Sequence, residues 1–276
     1  MSAAPAVLPV VSAEAERAGP IEFARWFATR IVTFCIVELQ KLSHDRSELV
    51  TRAIQPALWL IIFGKTFSNL RAVPTGDIPY LDYLAPGILA QSTLFVSVFY
   101  GIQVIWERDA GVLAKLMVTP TPRTALVTGK VFAAGVRAFA QAIAVIVLSL
   151  LLGVDFLLAP WRLAGVAVTV MLGAAFFSAL SMTLAGLVLT RDRLMGIGQA
   201  ITMPLFFASN ALYPIALMPP WVQAVSKVNP LTYEVNALRG LLLGIPTNIL
   251  ADMGILFGSV VIAIAAASSV LPRLVR

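Results

Sequence analysis

Apolar stretches close to the length of a membrane crossing recur along the chain, and most polar residues fall between them. About 20 apolar residues cross a hydrocarbon layer of about 30 Å. By that measure the pattern predicts six spans, at about 53–70, 83–106, 125–153, 163–189, 194–213 and 249–271. Pro56 stands near the start of the first span and Pro204 inside the fifth. Residues 214–248 are also apolar, but Pro214, Pro219, Pro220, Pro230 and Pro246 cut them. Proline removes a helical hydrogen bond and clashes with the preceding turn, so one straight helix cannot cross there. Two short helices that enter one leaflet and return fit better, with their backbone buried in protein or lining a cavity.

Ahead of the first span, residues 21–45 place Phe23, Phe27, Ile31 and Phe34 at three- and four-residue spacing, with Trp26, Arg25, Arg30, Glu38 and Lys41 among them. That predicts a helix lying in the membrane interface; a helix packed on a soluble partner is the alternative. Residues 1–20 lack the basic start and unbroken apolar stretch of a signal peptide and are expected to be a disordered lead.

Composition sharpens this picture. The chain is 59% hydrophobic and 12% charged, with mean hydropathy +0.89. A soluble domain carries about a quarter charged residues, so a soluble bundle is excluded. The net charge of +6 raises nucleic-acid binding as a question. The basic residues flank apolar runs instead, which is how membrane topology is written. With the N-terminus inside, Arg25, Arg46, Arg108, Lys115, Lys130, Arg191 and Arg273 share the inner side with most other basic residues. Only Lys65, Arg71, Arg162, Lys227 and Arg239 fall outside, and Arg137 lies within the third span. Both termini are therefore expected to be cytoplasmic. Cys35 and His44 are the single cysteine and histidine, so neither a disulfide framework nor a histidine-cluster metal site is available.

One segment departs from the apolar pattern: WERDAGVLAKLMVTPTPRTALVTGK, residues 106–130. Glu107 and Asp109 are placed where a helix N-terminus favours negative charge. Val112, Leu113, Leu116 and Met117 form an apolar stripe, and the Thr-Pro-Thr-Pro run from Thr119 ends the helix. The expectation is a short cytoplasmic helix with one apolar face. Such a face packs on its own protein or docks in a partner's groove. The segment is not a phosphate-binding loop: Thr124 stands where the first glycine is needed and Val131 where the hydroxyl is needed. Asp77 and Asp82 in GDIPYLDY read as a solvated loop.

Three motifs together resemble a known family, the membrane subunits of bacterial type-2 ABC exporters, which include drug permeases of the daunorubicin-resistance type and permeases for nodulation factors and O-antigen glycans. They are the segment just described, LAPGILAQS from Leu84, and NPLTYEVNALRG from Asn229. The resemblance runs over about residues 25–272 and implies an all-α integral membrane fold. It has six transmembrane helices, an N-terminal interfacial helix, a cytoplasmic coupling helix and extracellular re-entrant helices. It further implies a half-transporter that works with two copies of a separate ABC ATPase and a second permease chain, as a homodimer. ATP and Mg would bind in the ATPase and no cofactor in this chain. The location implied is the bacterial inner membrane, with the lipid bilayer as partner and no nucleic acid.

On that resemblance the ATPase-coupling residues are Glu107, Arg108, Asp109, Val112, Leu113, Leu116 and Met117, the apolar ones giving contact and the charged ones orientation. Candidate pathway or gate residues are Arg137, Phe176, Phe206, Asn210, Tyr233, Glu234 and Arg239. Each has a plainer reading. Arg137 also fits a snorkelling cation, the phenylalanines ordinary packing, and Glu234 with Arg239 a surface ion pair. The leading function is outward transport of an amphipathic drug, lipid or lipid-linked glycan. A stand-alone ion-coupled transporter or channel would want repeats and midplane ionisable groups, and a membrane-embedded enzyme a cluster of catalytic side chains; neither pattern is evident.

Overall fold

The computed structural model describes residues 28–29, 31–33, 35–36, 40, 46–70, 73–76, 78–113, 115 and 123–274. The expected lead and most of the expected interfacial helix lie outside them, as do Leu116, Met117 and Asp77. The described residues are helical throughout, apart from turns and connecting segments.

The chain enters through α1, Arg46–Leu58, which contains Pro56. Pro56 cannot complete the helical ladder, and the rod widens at once into a π-helical stretch, Trp59–Gly64, before α2, Lys65–Leu70. One side of this rod is aromatic. Trp59 stacks on Phe63 at 4.4 Å, Phe63 on Phe67 at 5.7 Å, and Phe67 meets Tyr80 at 5.7 Å. The long helices follow: α3, Tyr80–Asp109, α4, Arg123–Leu151, and α5, Pro160–Val188. Next come α6, Arg191–Phe207, the short α7, Pro220–Val228, and α8, Pro230–Leu243. The last is α9, Ile249–Val270, closed by a 3-10 turn at Leu271–Leu274.

Four of these, α3, α4, α5 and α9, are long and apolar enough to cross a membrane. At the other two expected spans the chain is helical but differently built. The first is a rod interrupted by the π stretch, and α6 has 17 residues with Pro204 inside. The proline-cut region forms the two short helices α7 and α8, each starting on a proline that its first turn tolerates. Asp82 belongs to the first turn of α3 and not to a loop.

Burial orders the bundle. In its most apolar stretch α3 is 78% buried and α9 22%, so α3 is the centre and α9 the rim. The bare face of α9, with Phe257, Val261 and Ile262 exposed, is the kind of surface hydrocarbon covers. Small residues let the helices close. A Cβ on Gly101 of α3 would collide with the backbone and hydroxyl of Ser181 on α5, and the Ser181 hydroxyl donates to the Val98 carbonyl. Gly101→Ala is therefore expected to cost about 1–3 kcal/mol, read as a lower thermal midpoint in detergent. Gly196→Ala, where a Cβ meets nothing within 4 Å, is the control and should be neutral or slightly stabilising.

Helix ends are set locally. The chain leaves α4 through Gly153, with Val154 N–H on the Ser149 carbonyl at 3.0 Å and Gly153 N–H on Leu150 at 3.0 Å. The Asn229 side chain accepts from Leu231 N–H at 3.1 Å and caps α8.

Candidate functional site

Three places concentrate polar chemistry: the two ends of α3 and the groove that runs along it.

At the C-terminal end, α3 does not stop before the charged residues. It runs through Glu107, Arg108 and Asp109, and the left-handed Gly111 (φ 70°) turns the chain after them. The expected order, with these acids opening a new helix, is corrected. They close the old one, where the dipole disfavours negative charge. Cations offset this. Lys130 of α4, 3% exposed, donates to the Glu107 carboxylate. Arg108 donates to Asp109 at 2.7 Å and to the Leu189 carbonyl at 2.8 Å, and Arg191 of α6 donates to Asp109 at 2.6 Å. Leu189 holds φ 61°, a strained conformation for a residue with a side chain, and its carbonyl is what Arg108 takes. One turn thus ties α3 to α4 and to the α5–α6 corner.

The apolar stripe that follows is divided. Leu113 is 0% exposed and packs in a cluster with Ile105, Val127, Ala179 and Leu194, so it holds the turn to its own bundle. The expectation that it faces a partner is corrected: its side chain has no free surface. Val112 beside it is 44% exposed and Trp106 is exposed, with the Arg191 guanidinium 5.1 Å from the Trp106 ring.

At the opposite end, Arg239 of α8 is 4% exposed. Its Nη2 donates to the carbonyls of Asn210 at 2.6 Å, Tyr83 at 3.2 Å and Ala211 at 3.3 Å, and its guanidinium lies 3.6 Å over the Tyr83 ring. The site is shaped by LAPG. Pro86 leaves the first turns of α3 short of a ladder bond, and Gly87 lies so close to the Ala211 backbone that no Cβ fits. Around this plug, Asn210 Nδ2 donates to Asn236 Oδ1 at 2.6 Å, and Asn229 Nδ2 to the Leu205 carbonyl at 2.7 Å. Tyr80 donates to the Leu212 carbonyl at 3.1 Å, and Tyr233 to the Lys227 carbonyl, tying α8 to α7. Glu234 does not pair with Arg239, which corrects the expected ion pair. Its carboxyl is fully buried against Gly173 of α5, with no hydrogen-bond partner on either oxygen. Thr93 is within donating reach but turns its hydroxyl to the Leu89 carbonyl at 3.2 Å.

Between the ends, a groove floored by α3 opens between α1 and α6. It consists of three adjoining cavities of about 220, 110 and 470 Å³ that share Phe99. Arg137 of α4 lines the largest, 5.9 Å from the Tyr100 ring. Phe176 and Phe206 line none of them. Phe206 is fully buried against Trp59 at 5.6 Å, and Phe176 packs edge-on to Phe177 at 5.1 Å. Phe206 thus sits in the core, and Phe176 packs half-buried against it. Tyr83 and Asn236 were not singled out from sequence, and nothing local marked them; Gln141 is one of the polar residues that the sequence places within the spans, where such residues line a path or bond between helices.

Helices of this kind, apolar outside and tied by polar contacts at each end, define a membrane-embedded helical bundle. The chain belongs to the ABC-2 type transporter family, whose model matches residues 29–243. It is similar to the transport permease ycf38 of Cyanophora paradoxa, 31% identical over 197 residues, covering 69% of this chain and 66% of that protein. It is also similar to the inner membrane transport permease YadH of Escherichia coli K12, 28% identical over 206 residues, 71% of this chain and 76% of the relative. The doxorubicin resistance ABC transporter permease protein DrrC of Mycobacterium tuberculosis is 27% identical over 210 residues, 75% of each chain. The match thus spans just under two thirds of the ycf38 permease's length.

Proposed function

We propose that this chain is the membrane subunit of an ATP-driven exporter, powered by a separate ABC ATPase that docks beside the Gly111 turn. The observation that carries the reading is that turn itself. Glu107–Lys130, Arg108–Leu189 and Asp109–Arg191 fasten it to α4, the α5–α6 corner and α6, so a push on it moves these helices together. The chain has no phosphate-binding loop, so the energy comes from another subunit. Six crossings, cytoplasmic termini, re-entrant α7 and α8, and a pair of permease chains complete the proposal. The cargo class is a drug-like, lipid or lipid-linked glycan amphiphile, and only its drug-like member accords with the doxorubicin resistance for which the DrrC relative is named.

Among the described residues the surface for docking consists of exposed Val112 and Trp106, rimmed by Arg191 and Asp109. Val112→Asp is expected to abolish copurification with the ATPase and leave the chain's own thermal midpoint unchanged, because the side chain is exposed. Leu113→Asp is expected to unfold the turn instead, since it buries a charge. Wild-type copurification by Val112→Asp would sink the docking assignment. Transport is then read in proteoliposomes as ATP-dependent loss of a fluorescent amphiphile from the inner compartment.

A further inference from the structure

The Glu234 carboxyl takes no part in the Gly111 turn, the Arg239 plug or the groove. It is 0% exposed, and neither of its oxygens has a hydrogen-bond partner. Its place is made by a glycine: a Cβ on Gly173 of α5 would fall 2.3 Å from Oε2. Gly165, Thr169 and Gly173 stand one turn apart on the face of α5 that α8 covers, with Gly165 against Leu241 and Gly173 against Glu234. On α3, Thr93 is within reach of the carboxyl.

The hydroxyls on these two helices decide which form of the carboxyl fits. A hydroxyl has one hydrogen to give and two lone pairs; a carboxylate only accepts, whereas a carboxylic acid also donates. Thr93 gives its hydrogen to the Leu89 carbonyl at 3.2 Å. Ser97, one turn on, gives its own to the Thr93 carbonyl at 2.7 Å, and Thr169 to the Gly165 carbonyl at 2.9 Å. None of the three has a hydrogen left for a carboxylate, while Thr93 Oγ1 keeps lone pairs for an acid. No backbone N–H reaches either oxygen. A carboxylate in this place would be a charge without water, donor or counter-ion, the costliest kind of group to bury.

Nor does a cation neutralise it. α8 packs against α3, α5 and α9. On its own helix, Arg239 is turned to Tyr83 and the end of α6, and Tyr233 to the Lys227 carbonyl. The single charged residue of α5, Arg162, donates to the Gly240 and Leu241 carbonyls at 3.1 and 2.9 Å. From α9 comes an anion, Asp252, which accepts from Asn236. On α3, Tyr80 donates to the Leu212 carbonyl and Tyr100 lies beside Arg137. Asp82 and Glu107 are about 16 and 21 Å along α3 from Thr93, at 1.5 Å per residue. A divalent metal ion would need about six oxygens, and no cluster of acidic, histidine or cysteine side chains able to hold one is gathered among the described residues.

We propose that Glu234 is a proton-binding site: as a carboxylic acid it donates to Thr93 Oγ1 and lets α8 seat on Gly173, and it gives up the proton when α8 lifts away. Seated α8 then holds one proton more than lifted α8, so a rise in pH favours the lifted form. Lifting of α8 during export rests on the permease reading above; proton binding does not.

The test uses the full chain in dodecyl maltoside, which has no carbonyl of its own, with no ATPase present. At neutral pH the infrared spectrum of the wild type is expected to show a carboxylic-acid carbonyl band that Glu234→Gln lacks. Thr93→Val, which removes the acceptor, is expected to move that band to higher frequency without abolishing it. As the pH is raised from about 6 to about 9, amide hydrogen exchange across α8 should speed up in the wild type relative to Glu234→Gln at the same pH. Glu234→Gln keeps the size of the side chain, so both chains are compared folded. Identical acid-carbonyl absorption in wild type and Glu234→Gln at neutral pH overturns the proton site. So does a band present in choline chloride and lost in sodium chloride, which would give the site to sodium. Equal exchange across α8 in the two chains at every pH overturns the link between the proton and the seating of α8. The band and its pH-linked exchange in a chain that fails to export would leave this inference standing and remove the exporter reading.

Discussion

Arg239→Ala is expected to cost about 3–5 kcal/mol, the scale of removing one partner of a buried charged contact, and to be among the most damaging single changes in the chain. The guanidinium is buried and answers three carbonyls, those of Tyr83, Asn210 and Ala211, while lying 3.6 Å over the Tyr83 ring. Asn210 and Ala211 follow the C-terminus of α6, where the helix dipole is negative. Carbonyls therefore hold this cation without a carboxylate in the contact. Alanine takes a donor from three buried carbonyls, of which that of Asn210 keeps only the long bond from Tyr83 Oη, a loss of about 1–3 kcal/mol for each carbonyl left unsatisfied, and opens the α3–α6–α8 junction. Lysine should not rescue it, because one ammonium cannot reproduce the planar fork or the stacking. Tyr83→Phe keeps the ring and loses only a long bond to the Asn210 carbonyl at 3.4 Å, so its effect should be small. Thermal midpoints followed by fluorescence-detected size exclusion decide the matter. A midpoint in Arg239→Lys equal to wild type would show that charge alone is enough. Glu234→Gln offers the opposite sign in the same measurement. It keeps the shape beside Gly173 and removes the cost of a carboxyl buried without a partner, so stability should hold or rise.

The apolar spacing was enough to place α3, α4, α5 and α9, because hydrocarbon demands length and little else. It also placed the helix pair of residues 214–248, since proline acts on the backbone wherever it occurs. Which side of a helix faces protein was not legible. In water the buried face is the apolar one; in a bilayer both faces are apolar, and Phe206 in the core looks like Phe257 on the rim. The same ambiguity hid Leu113: a stripe at helical spacing is identical whether it seats against its own bundle or against a partner. The acids at 107 and 109 suggested a helix start by their charge, but Gly111 and the cations of Arg108, Lys130 and Arg191 decided otherwise. Arg239 and Glu234 are five residues apart and of opposite sign, yet their helix turns them to different neighbours, α3 with the α6 end for one and α5 for the other.

The second large effect is expected at Glu107. Glu107→Ala leaves Lys130 with its charge, 3% exposed and unpartnered, which costs about 3–5 kcal/mol. Lys130→Met removes the buried charge and leaves Glu107, whose side chain is 21% exposed and can reach water, so its cost should be smaller. The double change Glu107→Leu with Lys130→Leu should recover most of the stability, because two apolar side chains leave no charge to solvate. This order, with Glu107→Ala worst and the double variant near wild type, separates a pair that stabilises from a pair that transmits. If the brace between α3 and α4 carries motion from the Gly111 turn, the double variant should fold and copurify with the ATPase yet hydrolyse ATP without moving cargo. The apolar pair can slide where the ion pair held register. ATP hydrolysis and amphiphile transport are measured together in proteoliposomes. Full coupling in the double variant would assign Glu107 and Lys130 to stability alone and leave Arg108 and Asp109, with their bonds to Leu189 and Arg191, as the remaining connection between the turn and the membrane helices.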